Sequence, residues 1–86
     1  MNTYWFDLIV DRPITEELTE QLFEAGCDDG TVSAHHDVWQ VGFARESVSL
    51  EEAIRTARDN VQSVGLTVRQ VVIEQADIAS TLQETV

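Results

Sequence analysis

The chain has 86 residues, 43% of them hydrophobic, and its 16 acidic residues against 5 basic ones give a formal net charge of -11 at pH 7. That length holds one domain with a single modest core and leaves no room for a second. Every base is Arg, and so acidic a surface repels phosphate backbones and anionic lipid, which argues against direct binding of nucleic acid or membrane and makes a basic protein surface the natural partner. Simple solubility is the plainer account of the same charge.

"YWFDLIV" (Tyr4 to Val10) is rich in aromatic and β-branched residues and is closed by Asp11, Arg12 and Pro13, so it predicts a first strand. The "MNTYWFDLIVD" start has no basic region or signal-like cleavage site, and no apolar run is long enough for a membrane span, so a cytoplasmic protein is expected. Ile14, Leu18, Leu22 and Ala25 recur at helical spacing, with Thr15 placed to cap the amino end and Gly26 to stop the helix. "CDDG" predicts a turn. The lone Cys27 within it has no partner for an internal disulfide and no Cys/His spacing of a zinc site, which fits a reducing compartment.

"TVSAH" and "VWQVGFA" predict a hairpin around His36 and Asp37, with Trp39, Val41 and Phe43 on one face of the second arm. "SLEE" (Ser49 to Glu52) is a capping box: the Ser oxygen accepts from the third helical amide while Glu52 reaches back to the cap amide. Leu50, Ala53, Ile54, Ala57, Val61 and Val64 then keep helical spacing up to Gly65, and "LTVRQVVIE" predicts a last strand. The order βαββαβ, with right-handed crossovers, implies an α+β, ferredoxin-like fold: a four-stranded antiparallel sheet with two helices on one face. The domain is expected over residues 1–75, facing a partner or solvent with its other sheet surface, and followed by a short helical tail over residues 76–86 begun by Ala76, Ile78, Ala79 and Leu82.

"LIVDRPITEELTEQLFEAGCDDGTV", then "VGFARESVSLEEAIRTARDNVQSVGLTV", then "ADIASTL" resemble a small bacterial family of helix-turn-helix DNA-binding regulators, in which a βαββαβ domain precedes the helix-turn-helix. The matching features are the Asp-Arg-Pro exit, the Glu24 to Asp29 turn, Phe43, Arg45 and Glu46, the Ser49 to Ala53 cap, and the Ala76 to Ala79 segment. Ala44 departs from the Asp usual in that family, and the recognition helix expected after Ala79 does not follow. The resemblance therefore implies a regulatory lineage without the part that enters a major groove. The "SLEEAIRTARDNV" stretch is also similar to the strand-to-helix segment of HicB-type antitoxins, small proteins that block a partner.

Catalytic chemistry has little support in the residues. Asp28 and Asp29 are adjacent carboxylates able in principle to act as acid and base or to hold a metal, but a Gly-containing turn prefers Asp for backbone reasons alone. His35 and His36 are strand neighbours pointing to opposite faces, which suits a polar hairpin end better than one ion. Cys27 has no nearby base in sequence and suits a small buried residue. No cofactor or metal is expected, and an enzyme is not the favoured reading.

A sharper pattern lies on the first helix. Glu16, Glu17, Glu20 and Glu24, continued by Asp28 and Asp29, place carboxylates along the chain with no intervening base, and positions 16, 20 and 24 share one side about 6 Å apart along the axis. Such a row imitates part of a nucleic-acid backbone to a protein that binds one; the alternative is the solvated face of an amphipathic helix. On the second helix Glu51 and Glu52 are instead spaced to pair with Arg55. The sequence thus predicts a non-enzymatic acidic module that blocks or regulates a nucleic-acid-handling protein through Glu16, Glu17, Glu20, Glu24, Asp28 and Asp29. Its rival is an isolated sensor or dimerisation domain of a helix-turn-helix regulator, forming a homodimer through its open sheet face.

Overall fold

The computed structural model describes residues 1–73. In chain order the elements are β1 (Asn2–Val10), α1 (Glu16–Glu24), β2 (Gly30–His35), β3 (Val38–Ser47), α2 (Leu50–Gln62) and β4 (Val68–Ile73). The strands form one antiparallel sheet in the order β2-β3-β1-β4, so β1 and β3 are central and β2 and β4 are edges. This is the ferredoxin-like α+β arrangement that the alternation of periods predicts. The expected helical tail over 76–86 lies outside the described residues.

Strand alternation divides the sheet into a covered and an open face. Phe6, Leu8 and Val10 of β1 and Val41 and Phe43 of β3 point to the covered face, where they are buried together with Leu22 of α1 and Ala53, Ala57 and Val61 of α2. One cluster holding both helices places them on the same side of the sheet. Leu22, Ala57 and Val61 are fully buried as expected, while Leu18 and Ile54 pack half-buried at the margin of the cluster. Phe6 and Phe43 face each other in register and their rings stack with centroids 5.5 Å apart. Small Ala53 and Ala57 let α2 approach the strands closely, and both are completely buried.

The local signals act where the sequence placed them. Thr15 accepts a bond from the Leu18 amide at 3.2 Å, and Ser49 accepts one from the Glu52 amide at 3.1 Å. The return half of the Ser49 box is replaced: Arg55 binds the Glu52 carboxylate on the same helix and holds it below its usual titration range. Gly26, at φ 110°, takes the left-handed conformation that ends α1, a position costly for any residue with a Cβ. His36 and Asp37, at φ 50° and 64°, form the two-residue turn of the β2–β3 hairpin; paired positive angles match the twist of the flanking strands.

Four strand boundaries differ from expectation. β2 starts at Gly30 rather than Thr31, and β3 runs on to Ser47 rather than ending at Ala44. β1 starts at Asn2 rather than Tyr4, because β3 is long enough to pair Asn2 with Ser47. β4 starts at Val68 rather than Leu66, since Leu66 is buried in the core and Thr67 is held by Asp11: the Thr67 amide donates to Asp11 Oδ1 and the Asp11 amide donates to the Thr67 carbonyl, each at 3.1 Å. Arg12 also binds the Asp11 carboxylate, and with the Thr67 amide it lowers that pKa to about 2. β4 is further irregular at Arg69, where pairing with β1 steps from Ile9 opposite Gln70 to Val10 opposite Val68.

Candidate protein-interaction surface

Thr15 starts α1 so that Leu22 faces the core, and this fixes the opposite side of the helix toward solvent. Glu16, Glu17, Glu20 and Glu24 are all exposed there, and Asp28 is exposed in the turn that follows. The ion pairs among the described residues are Arg12 with Asp11, Arg45 with Asp29, Arg55 with Glu52 and Arg58 with Asp59, so none reaches α1 or Asp28. The helix has acidic residues in its first turn and no basic residue in its last.

Asp29 does not belong to this free row. Arg45 grips it from β3 through two bonds, Nε to Oδ2 at 2.8 Å and Nη2 to Oδ1 at 2.9 Å. The same guanidinium donates to the Gly26 carbonyl at 2.9 Å, to Thr56 Oγ1 at 3.2 Å and to Asn60 Oδ1 at 3.1 Å. All the N–H groups of an arginine side chain are thereby satisfied. Its charge also lies 4.9 Å from the centre of the Phe43 ring. Hydrogen bonding to Arg45 holds Asp29 below the usual carboxylate range, against the opposing effect of burial. The turn after α1 is thus bolted to β3 and α2, which fixes the end of the acidic row while neutralising its last member. The register of the β2–β3 hairpin produces this pair.

An aromatic residue lies within the row. Phe23 is 65% exposed, between Glu20 one helical turn before it and its neighbour Glu24. It lies off the Leu18–Leu22 stripe, and its departure from that stripe is the signal by which the sequence marks it. On α2, by contrast, Arg55 and Arg58 accompany Glu51, Glu52 and Asp59, so that helix is close to self-compensated.

The other candidate residues of the sequence are placed plainly. Cys27 is buried, and burial pushes its thiol up to about 11. The His35 and His36 rings meet edge to face with centroids 4.1 Å apart at the hairpin end. Among the described residues no group of three or more His, Cys, Asp or Glu is arranged to hold a metal ion, and no helix is long and apolar enough to cross a membrane.

The open sheet face carries Trp5, Asp7 and Ile9 from β1, Gln40, Gly42 and Ala44 from β3, and Thr31 and Ser33 from β2. Trp5 is 48% exposed on it. Comparison of the chain with protein-family models, with curated proteins and with solved structures gives no match in any of the three.

Proposed function

We propose that the protein is a non-enzymatic interaction module that presents the outer face of α1 to a basic protein, of the kind that handles nucleic acid, and so blocks or regulates it as an antitoxin, anti-restriction protein or anti-CRISPR-type inhibitor does. The observation that carries this reading is the uncompensated row Glu16, Glu17, Glu20, Glu24 and Asp28 with the exposed Phe23 set inside it. A row of like charge accelerates encounter with a basic groove, and an aromatic side chain amid charges supplies the apolar anchor that affinity at an interface depends on. On a rigid helix both are displayed at little cost in ordering.

The test is comparative. The triple variant Glu16→Gln, Glu20→Gln, Glu24→Gln keeps shape and helix propensity while removing three charges. Against the partner recovered from source cells, its affinity should fall and the salt dependence of binding should shrink, whereas Glu51→Gln with Glu52→Gln should change little. A triple variant that binds like the parent, with weak salt dependence in both, would sink the proposal.

The exposed Trp5 favours a second reading, in which the open sheet face pairs two copies of a regulator's sensor or dimerisation domain. Sedimentation separates the two: a stable dimer of the purified chain, together with micromolar, sequence-selective DNA binding, would support the regulator and remove the inhibitor.

A further inference from the structure

A row across the open sheet face runs from Asp7 on β1 over Gly42 on β3 to Thr31 on β2, in direct register. The neighbouring row sets Trp5 opposite Ala44. Because β3 carries only Gly and Ala at these positions, the face is hollowed along its centre, leaving a trough of about 230 Å³ with Trp5 and Asp7 as one wall and Thr31 as the other. Glycine inside a central strand weakens it and marks a place where another group approaches closely. Here the Asp7 carboxylate leans into the space that a side chain would take: a Cβ on Gly42 would sit 2.8 Å from Asp7 Oδ1.

Asp7 is half-buried and has no ion pair or hydrogen bond to its side chain among the described residues. The arginine closest in sequence to the trough, Arg45, points to the opposite side of the sheet and is saturated there by Asp29, Gly26, Thr56 and Asn60. The trough therefore combines a free carboxylate, an exposed indole two residues away on the same strand, and a hydroxyl opposite. Trp5 and Asp7 project side by side about 7 Å apart along β1. A planar guanidinium meets that combination well, since it stacks on an aromatic face while its N–H edge binds a carboxylate.

We infer that this trough is a receptor for an arginine side chain of a basic protein partner, with Asp7 binding the guanidinium, Trp5 stacking on it and Thr31 accepting an outer N–H. The inference rests on the reading that the partner is basic, and extends it to a second face. Asp28 and Asp29 connect the two surfaces, because the turn they form leads from the end of α1 to the start of β2, and Asp29 borders the trough. A basic partner wrapped around the β2 edge meets the α1 row on one side and the trough on the other.

The experiment is an amide and indole NMR titration of the whole chain with N-acetyl-arginine methylamide, alongside the lysine analogue. Shifts should concentrate at Trp5, including its indole N–H, and at Asp7, Thr31 and Gly42, with weaker response to lysine. Asp7→Asn should weaken binding about tenfold, the loss of one charge-assisted bond. Gly42→Ala should do the same by displacing the Asp7 carboxylate, and the dispersion of each variant's spectrum reports that it is folded. The triple Gln variant of α1 should titrate like the parent. Shifts confined to α1, equal binding by Asp7→Asn and parent, or no response to arginine would overturn the trough. The α1 row has its own test against the basic partner, so failure of one surface is read separately from failure of the other.

Discussion

The guanidinium of Arg45 and the carboxylate of Asp29 meet in a two-bond fork, at 2.8 and 2.9 Å, that ties the turn after α1 to the centre of the sheet. The Arg45 side chain is only 11% exposed there. Its removal leaves Asp29, the Gly26 carbonyl and Asn60 without their partner at once. Arg45→Ala should therefore destabilise the fold by about 2 to 3 kcal/mol in urea unfolding, and Arg45→Lys should recover less than half of that loss because an ammonium cannot reproduce the fork. A cost below about 0.5 kcal/mol for Arg45→Ala would show the network to be incidental.

The same pair sets a pH dependence. Asp29 titrates below its ordinary value of 3.8 in the folded protein, so the unfolded chain binds the proton first, and the stabilisation is complete above the unfolded value and lost as pH falls through the folded one. Arg45 is pushed up, away from this range, and stays charged throughout. Protonation of the remaining carboxylates relieves repulsion in parent and variant alike. The stability difference between parent and Asp29→Asn should thus be constant above about pH 5 and shrink below about pH 4. A difference unchanged down to pH 2 would refute the linkage.

Most of the fold is legible in the sequence because its signals are local. Thr15 and Ser49 start the helices, Gly26 stops the first, and His36-Asp37 turns the hairpin; each needs only its neighbours in the chain. The hairpin even sets Asp29 near Arg45 once its turn is fixed, since Gly30 then falls opposite Phe43. What local signals do not give is which side of the sheet an unmatched group faces and what reaches it there. Arg45 appears in sequence as part of a motif and in the structure as the anchor of Asp29, which removes one carboxylate from the expected row. The Asp7–Gly42–Thr31 row likewise requires three strands in register, whereas Phe23 is marked in the sequence by its departure from the Leu18–Leu22 stripe, and its exposure follows from that.

Ser49 caps α2 through its bond to the Glu52 amide, and Thr15 caps α1 through Leu18. Ser49→Ala and Thr15→Ala should each lower stability by about 0.5 to 2 kcal/mol in denaturant unfolding, while Ser49→Asp should restore the α2 cap. The Glu52 carboxylate is taken by Arg55, so Glu52→Ala should cost far less than Ser49→Ala, whereas a complete capping box would lose a bond to an end amide at either position.

Cys27 is 4% exposed and its thiol is pushed up to about 11 by burial, so almost no thiolate is present at neutral pH. Reaction of the native protein with a thiol reagent should be slow and should rise with denaturant in step with unfolding. Rapid stoichiometric labelling of the folded chain would instead identify a reactive cysteine and reopen the catalytic reading.

Glu16 and Glu24 sit at opposite ends of α1 and should respond oppositely to loss of charge. The amino end of a helix carries partial positive charge and the carboxyl end partial negative charge, each worth about 0.3 to 1 kcal/mol to a suitably placed ion. Glu16 in the first turn is favoured by that field, and Glu24 in the last turn is opposed by it, with no basic residue there to compensate. Glu24 also repels Glu20 one turn away, as Glu20 repels Glu16. Glu24→Gln should therefore raise stability and Glu16→Gln should lower it slightly or leave it unchanged, with both effects fading at high salt. The triple Gln variant, which removes both repulsive spacings, should be at least as stable as the parent. If it is, a row kept at a cost to the folded chain, and a variant that loses partner affinity without losing stability, together point to selection for binding. If Glu24→Gln instead destabilises α1, the carboxylate has a structural role and the row loses its claim to be a surface held in reserve for a partner.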